Sequence, residues 1–245
     1  MERDYKHDMT RLSRILLSFV ITFLIGASPV LAQFDDGVAA MQTGDYAKAL
    51  DAWQKAADGG DARSQYSIGY LHQFGLGVPR DFDKAKEWYE KAAAQNNADA
   101  LYSLGLLYEN GHAGRKDLAE AMSYYRRATA TGPHADAEYA IGRMTLRGRG
   151  VPRDPVEGVK WLKKAAEHQS PAAQYMLGAA YEAGWGVVAN DGEAYYWYSR
   201  ALAGDPQELQ EQDMAFQPKI AIDALRRRMS PERIHQIDLR LRKKH

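Results

Sequence analysis

Residues 66–93 read YSIGYLHQFGLGVPRDFDKAKEWYEKAA, and this stretch decides the fold because its pattern returns along the chain. Glycines that match Gly69 follow at Gly105, Gly142 and Gly178, at intervals of 36, 37 and 36 residues. A tyrosine precedes each of these glycines by three residues, and an aromatic residue returns 19 residues after each of them. Several residue types recurring in phase predict tandem structural repeats.

Each copy predicts a hairpin of two helices. The first, over 62–74, places Tyr66 and Gly69 on one face. It ends at Gly75, because glycine accepts the left-handed conformation of a helix C-cap. Glycine inside a helix costs about 1 kcal/mol relative to alanine, so we expect the second helix to cross the first at Gly69. The second helix, over 83–95, presents an apolar stripe of Ala85, Trp88, Tyr89, Ala92 and Ala93.

One hairpin cannot bury its own apolar face, whereas stacked hairpins bury it between neighbours. The sequence therefore predicts an all-α fold, an α/α solenoid (superhelix) of tandem helical hairpins over residues 33–205. The predicted copies are a half-copy at 34–61, with a short first helix that ends at Gly44, and complete repeats at 62–97, 98–133, 134–170 and 171–205.

The quoted residues resemble the Sel1-like repeat, a relative of the tetratricopeptide repeat with a longer turn between its helices. The third copy departs from the pattern with Gly111-His112-Ala113-Gly114 in its turn, and the fourth has Thr145 and Leu162 where its neighbours have tyrosine. The resemblance implies that first helices line a concave binding surface. It also implies an adaptor or regulator of the bacterial envelope.

Exposed positions of the first helices are the candidate partner contacts, because core positions are fixed by packing. Relative to the repeated glycine, the positions six before, one after and four after are predicted to face the groove. Tyr70 and Arg143 are the expected anchors, since tyrosine and arginine dominate protein interfaces. The predicted groove residues are Arg63, Tyr70, Gln73, Asp99, Leu106, Glu109, Asp136, Arg143, Leu146 and Glu182, with Ala172 and Ala179 at the equivalent positions of the last copy.

Residues 11–32 have the form of a secretory signal peptide. Arg11 and Arg14 precede an uncharged stretch over 15–27, and small residues end at Ala32. We expect residues 1–32 to be removed by cleavage after Ala32, which makes the mature protein periplasmic or secreted. The alternative is an uncleaved anchor, but the apolar run is shorter than the roughly 20 residues that span a bilayer. Met9 is an alternative start.

Residues 206–245 predict capping helices, at roughly 216–229 and 231–243, with Ser230 as an N-cap. The part from Lys219 to His245 is basic, with nine Lys or Arg and three Asp or Glu. It is interpreted as a solvated helical cap, or alternatively as a segment that docks to an acidic partner or to anionic lipid.

No residue pattern of known catalysis is present. The chain has no cysteine, no nucleophile elbow, no phosphate-binding loop and no zinc-binding helix motif. Asp81, Asp117 and Asp154 recur at the turns and are interpreted as N-caps. The histidines fall at different repeat positions, which predicts neither a metal nor a cofactor. A net charge of zero argues against a nucleic-acid partner.

The sequence thus favours a non-catalytic scaffold that binds a protein or peptide in the groove of the solenoid. Two alternatives stay open. One is a cell-wall or β-lactam hydrolase, as in cysteine-rich members of the resembled family, and the other is a structural subunit of an envelope complex. Membrane contact is expected only through the signal peptide or the basic tail, and no oligomeric state is predicted.

Overall fold

The computed structural model describes residues 29–204 and 217–243, and regular structure in these ranges is entirely helical. The signal peptide predicted for 1–32 lies almost wholly outside them. No helix in the described ranges is long and apolar enough to cross a membrane. The helices are α1 Pro29–Gln42, α2 Tyr46–Asp58, α3 Ala62–Phe74, α4 Phe82–Ala94, α5 Ala98–Asn110, α6 Leu118–Ala130, α7 Ala135–Arg147, α8 Pro155–Glu167, α9 Pro171–Ala183, α10 Asp191–Ala203, α11 Pro218–Arg226 and α12 Pro231–Arg242.

The first ten helices form five hairpins that stack in chain order, which confirms the predicted solenoid. The first hairpin differs from the predicted half-copy at 34–61, because its first helix is not short. Helix α1 has 14 residues and starts at Pro29, upstream of the predicted cleavage site. The indole Nε1 of Trp53 in α2 donates to the Phe34 carbonyl of α1 at 3.2 Å. The first unit is therefore a complete hairpin rather than a truncated one.

Side-chain caps fix the ends of the helices. The carboxylates of Asp81, Asp117 and Asp154 accept backbone N–H bonds at the starts of α4, α6 and α8, as predicted. Each of these bonds satisfies a donor that the first helical turn leaves unpaired. At the other end of α3, Gly75 has φ +70°, which confirms the left-handed C-cap. The ends of the helices follow directly from local sequence.

The repeated glycine lies under a side chain of the second helix of its own hairpin. A β-carbon on Gly69 would stand 2.6 Å from Cε1 of Tyr89, and one on Gly178 would stand 2.8 Å from Cδ1 of Tyr198. The same contact joins Gly105 to Tyr125, whereas Leu162 takes the place of the ring over Gly142. The predicted crossing at the glycine is confirmed, and the residue in contact with it lies one position after the aromatic residue that marks the repeat.

The same tyrosines tie the two helices together by hydrogen bonds. In three hairpins the tyrosine hydroxyl donates to a side-chain oxygen 16 residues earlier, near the end of the first helix. In the fourth hairpin leucines occupy both positions, so no polar group is left unpaired there. The pairs are Tyr89 with Gln73 at 2.6 Å, Tyr125 with Glu109 at 2.9 Å, Tyr198 with Glu182 at 3.0 Å, and the apolar Leu162 with Leu146.

Hairpins join through apolar clusters that cross their boundaries. One cluster combines buried residues of α4, α5, α6 and α7, and a second combines α7, α8, α9 and α10. The turns add a second contact between neighbours, because a β-carbon on Gly77 would meet Cβ of Tyr46, the first residue of α2, at 2.5 Å. In the third hairpin, whose turn departs from the pattern, His112 stacks on Phe82 with centroids 4.1 Å apart. A side-chain stack thus replaces the close backbone approach.

The C-terminal helices cover the last hairpin. Ile222 and Leu225 of α11 are buried against Tyr195 and Tyr198 of α10. Ser230 caps α12 with Pro231 at its first position, as predicted. Four arginines of the tail bind back to the array. They are Arg226 to the Tyr195 hydroxyl, Arg228 to Glu182, Arg233 to Asn190 and Arg240 to Glu193.

Four of the nine basic residues from Lys219 to His245 are therefore used in the cap. Arg228 lies 2.7 Å from the Glu182 carboxylate, and this ion pair corresponds to the ion pair of Arg143 with Glu109 inside the array. The described part of the tail thus supplies the last hairpin with the arginine partner that a following hairpin supplies inside the array. This placement favours a capping role over docking of the tail to an acidic partner or lipid.

We expect Gly69→Ala to lower the free energy of unfolding by roughly 1–2 kcal/mol, because the new methyl group overpacks the site by more than the gain in helix propensity. The Tyr89 ring is fully buried and hydrogen-bonded, so it cannot move aside. Urea unfolding followed by circular dichroism measures the change. Glu87→Ala, at an exposed position of α4, is the control and should be neutral. A more stable Gly69→Ala variant would contradict the contact.

We expect Leu225→Ala to destabilise the cap by about 2–5 kcal/mol, since Leu225 is fully buried. Ile220→Ala on the same helix is the matched control, because Ile220 is 64% exposed and its truncation should change stability by less than about 0.5 kcal/mol. Hydrogen exchange of α10 and α11 reports the difference. Equal exchange in the two variants would show that α11 does not cover α10.

Candidate partner-binding groove

A cavity of about 700 Å³ opens between the first helices of the second, third and fourth hairpins. First helices therefore line this surface, as the resemblance implied. The volume lies in the range of about 300–1,000 Å³ that is typical of ligand sites. The lining residues are Phe74 of α3, then Tyr102, Leu106, Glu109 and Asn110 of α5, then Tyr139, Ala140, Arg143 and Arg147 of α7, and Arg149 in the turn that follows. We call this cavity the groove.

Glu109 is the polar centre of the groove. It is only 4% exposed, and its carboxylate accepts hydrogen bonds from Tyr125 and Arg143, with Arg149 at 3.5 Å. Burial alone would raise the pKa of Glu109, but the hydrogen bond and charge of Arg143, helped by Tyr125 and Arg149, hold that pKa below its usual value. Glu109 is therefore an ionised, internally paired group that orients two arginines.

The rim of the groove carries unpaired charge and exposed aromatic surface. Arg147 is exposed at the end of α7 and has no ion-pair partner among the described residues. Phe74 is 52% exposed, and its ring centroid lies 4.5 Å from that of Tyr70. Exposed large apolar and arginine side chains are typical of interaction surfaces, since both are enriched at protein interfaces.

Residues predicted one position after the glycine lie at the groove. Leu106 and Arg143 line it, and Tyr70 supports Phe74 at its edge. The equivalent residue of the last hairpin, Ala179, packs near the cap instead.

Residues predicted four positions after the glycine serve mainly inside the hairpins. Gln73, Glu109 and Glu182 accept the tyrosine hydrogen bonds described above, and only Glu109 among them lines the groove. Leu146 is 5% exposed and belongs to the core, which corrects its prediction as a surface residue.

Residues predicted six positions before the glycine do not line the groove. Arg63 pairs with Asp61 and lies over the Phe34 ring at 4.1 Å. Asp99 lies 3.4 Å from His134 in the next hairpin, and Asp136 is half-buried. The equivalent Ala172 is fully buried. This position belongs to the boundary between hairpins because it lies in the first turn of the helix, next to the preceding unit.

The sequence prediction missed the tyrosines three before the glycine, Tyr102 and Tyr139, and the residues five after it. These last are Phe74, Asn110 and Arg147. Helical spacing could have found these three residues, since they lie four residues beyond the predicted position one after the glycine and on the same face. Within the described residues no three His, Asp or Glu side chains cluster as metal ligands. The arrangement is suited to non-covalent binding by charge and apolar contact.

Comparison with known proteins agrees with this architecture. A sequence model of the Sel1 repeat matches residues 31–61, 62–97, 98–132, 135–170 and 171–205. The first of these segments covers the hairpin that was predicted as a half-copy.

Two curated mammalian proteins share the repeat region. DAP3-binding cell death enhancer 1 of Rattus norvegicus is 37% identical over 176 residues, which is 71% of this chain and 34% of the relative. Its counterpart in Mus musculus is 38% identical over 168 residues, which is 68% of this chain and 32% of the relative. The chain thus spans about a third of the length of the curated relatives it matches.

Solved structures show the same stack of helical hairpins. A protective antigen of uropathogenic Escherichia coli with an SLR fold superposes with a TM-score of 0.75 at 28% identity, covering 87% of this chain and 45% of that one. A Sel1 repeat protein of Oxalobacter formigenes superposes with a TM-score of 0.63 at 33% identity, covering 71% of each chain. On these matches of sequence and structure, the chain belongs to the Sel1 repeat family.

Proposed function

We propose that the protein is a non-catalytic scaffold of the bacterial envelope that holds a protein partner in the groove. The observation that carries the proposal is the combination, in one cavity of about 700 Å³, of the exposed Phe74 ring with the exposed Arg147, which has no ion-pair partner in the described part of the chain. Aromatic and arginine side chains contribute most to the free energy of binding when a partner covers them. Protein–protein interaction is the typical role of Sel1 repeats, and the mammalian relatives are named for binding DAP3.

The envelope location rests on the sequence of residues 11–32. Cleavage after Ala32 would remove four residues of α1, including Val30, which lies near Gly59, and leave the contacts of α1 in the apolar cluster in place. Phe34, Val38 and Ala40, which pack in the cluster of α1, α2 and α3, all follow the cleavage site. The proposed processing is therefore compatible with a folded first hairpin in the periplasm or outside the cell.

Two of the three groove arginines, Arg143 and Arg147, differ in what they contribute to stability. We expect Arg143→Ala to destabilise the protein by about 3–5 kcal/mol, because the buried Glu109 carboxylate loses its main partner. Arg147→Ala is the matched variant and should change stability by less than about 0.5 kcal/mol. Thermal unfolding of the two variants measures this difference.

The cost of Arg143→Ala should also depend on pH. Because the folded-state pKa of Glu109 is depressed, its contribution to stability is present above the pKa of the unfolded carboxyl group. It is lost as the pH falls through the lower folded-state pKa. The stability difference between wild type and Arg143→Ala should therefore shrink on acidification, and a constant difference would show that Glu109 is not the group involved.

Arg147 and Phe74 are thus the better probes of partner binding, since both are exposed. The test is crosslinking in cells, followed by purification of the chain from the envelope and extracellular fractions and identification of bound proteins by mass spectrometry. We expect one protein to be enriched with the wild type and reduced at least about tenfold with Phe74→Ala/Arg147→Ala.

The matched control is Val156→Ala/Arg126→Ala, which removes an exposed apolar and an exposed basic side chain outside the groove. This control should keep the partner. Retention of the same partner by the groove variant, or the absence of any enriched protein, would contradict a scaffold that works through the groove.

A further inference from the structure

The groove has an excess of positive charge over negative charge. Three arginines and a single carboxylate, Glu109, contribute charge to its lining. Glu109 is buried and bound to Arg143, and its distance to Arg149 is 3.5 Å. Arg147 stands beside them with no ion pair among the described residues. Two positive charges are therefore in excess at one end of the groove.

The opposite end is apolar. Phe74 comes from α3, on the far side of α5 from the arginines of α7, and presents half of its surface. The Tyr70 ring packs against the Phe74 ring, with the two ring centroids 4.5 Å apart, and restricts its movement. Leu106 is half-buried between the two ends. An aromatic ring held in place at the surface loses little conformational freedom when a partner covers it.

The size of the groove selects the kind of occupant. A volume of about 700 Å³ accommodates a few side chains of an extended or helical segment rather than the face of a whole domain. Planar guanidinium groups bind carboxylates with two parallel hydrogen bonds. The apolar end and the zero net charge of the whole chain favour a peptide over a nucleic acid as the source of negative charge.

We propose that the groove binds an acidic peptide segment of the partner, with a large apolar side chain against Phe74 and Leu106 and a carboxylate at Arg147 and Arg149. This inference rests on the proposed function and adds the chemistry of the partner to it. Arg143 orients the site through Glu109, and Arg147 supplies the free charge that selects acidic sequences.

The first experiment selects peptides from a random library displayed on phage, using the purified full chain. Selected peptides should contain an excess of Asp or Glu within a few residues of a large apolar side chain. The same selection on Arg147→Glu should lose the acidic excess. Arg126→Glu makes the same charge change on α6, outside the groove, and should keep it.

The second experiment measures binding of one selected peptide by fluorescence polarisation. We expect replacement of its Asp and Glu by Asn and Gln to weaken binding at least about tenfold, with a similar loss for Arg147→Glu and near wild-type binding for Arg147→Lys. Circular dichroism of each variant verifies folding. A phosphorylated counterpart that binds where the carboxylate peptide does not would overturn the choice of ligand.

The outcomes separate the two proposals. If the selected peptides are neutral or basic and Phe74→Ala abolishes their binding, the groove is still a binding site but the proposed selectivity for acidic peptides is overturned. An acidic excess that Arg147→Glu does not change would place the selectivity elsewhere and overturn the inference. If no peptide is enriched, both the acidic ligand and the groove as a peptide site fall.

Discussion

The close approach of two helices at a glycine is the constraint on which the rest of this structure depends. Without a β-carbon at Gly69, the Tyr89 ring lies directly over the first helix and fixes the geometry of the hairpin. The buried ring also carries a hydroxyl, which reaches the end of the first helix and binds Gln73. One contact thus sets both how the helices cross and how their ends are held.

The groove depends on which residue lies opposite the second helix at the end of each first helix, since this residue differs between hairpins. Where the acceptor is Glu109, burial of a carboxylate requires positive charge, and Arg143 of the next hairpin supplies it. Where the pair is Leu146 and Leu162, no such requirement exists. The third and fourth hairpins are therefore joined by an ion pair that also orients the floor of the groove. At the end of the array Arg228 pairs with Glu182, so the cap is joined to the last hairpin by the same kind of ion pair that joins the third and fourth hairpins.

The periodic part of this account could be predicted from the sequence, because period, caps and turn glycines are local. Asp81 and Ser230 were predicted as N-caps for this reason, and the structure confirms both. The face of each first helix was predicted less well. The spacing from the repeated glycine predicts Leu146 on the surface, whereas its 16-residue spacing to Leu162, matched in the other copies by a tyrosine and its acceptor, marks it as core. The contacts of the tail could not be predicted, because Arg228 and Arg240 bind residues 46 and 47 positions away and no repeat pattern connects them.

A double-mutant cycle between Gly69 and Tyr89 tests the central contact most directly. The free energy of unfolding is measured for wild type, Gly69→Ala, Tyr89→Ala and the double variant. If the ring over the glycine sets the crossing, Gly69→Ala should cost less than half as much once the ring is removed, with a coupling energy of about 1 kcal/mol. Some cost should remain, since the new methyl group would still lie 3.2 Å from the Ala85 carbonyl. Additive effects, within about 0.5 kcal/mol, would contradict the contact as the origin of the hairpin geometry.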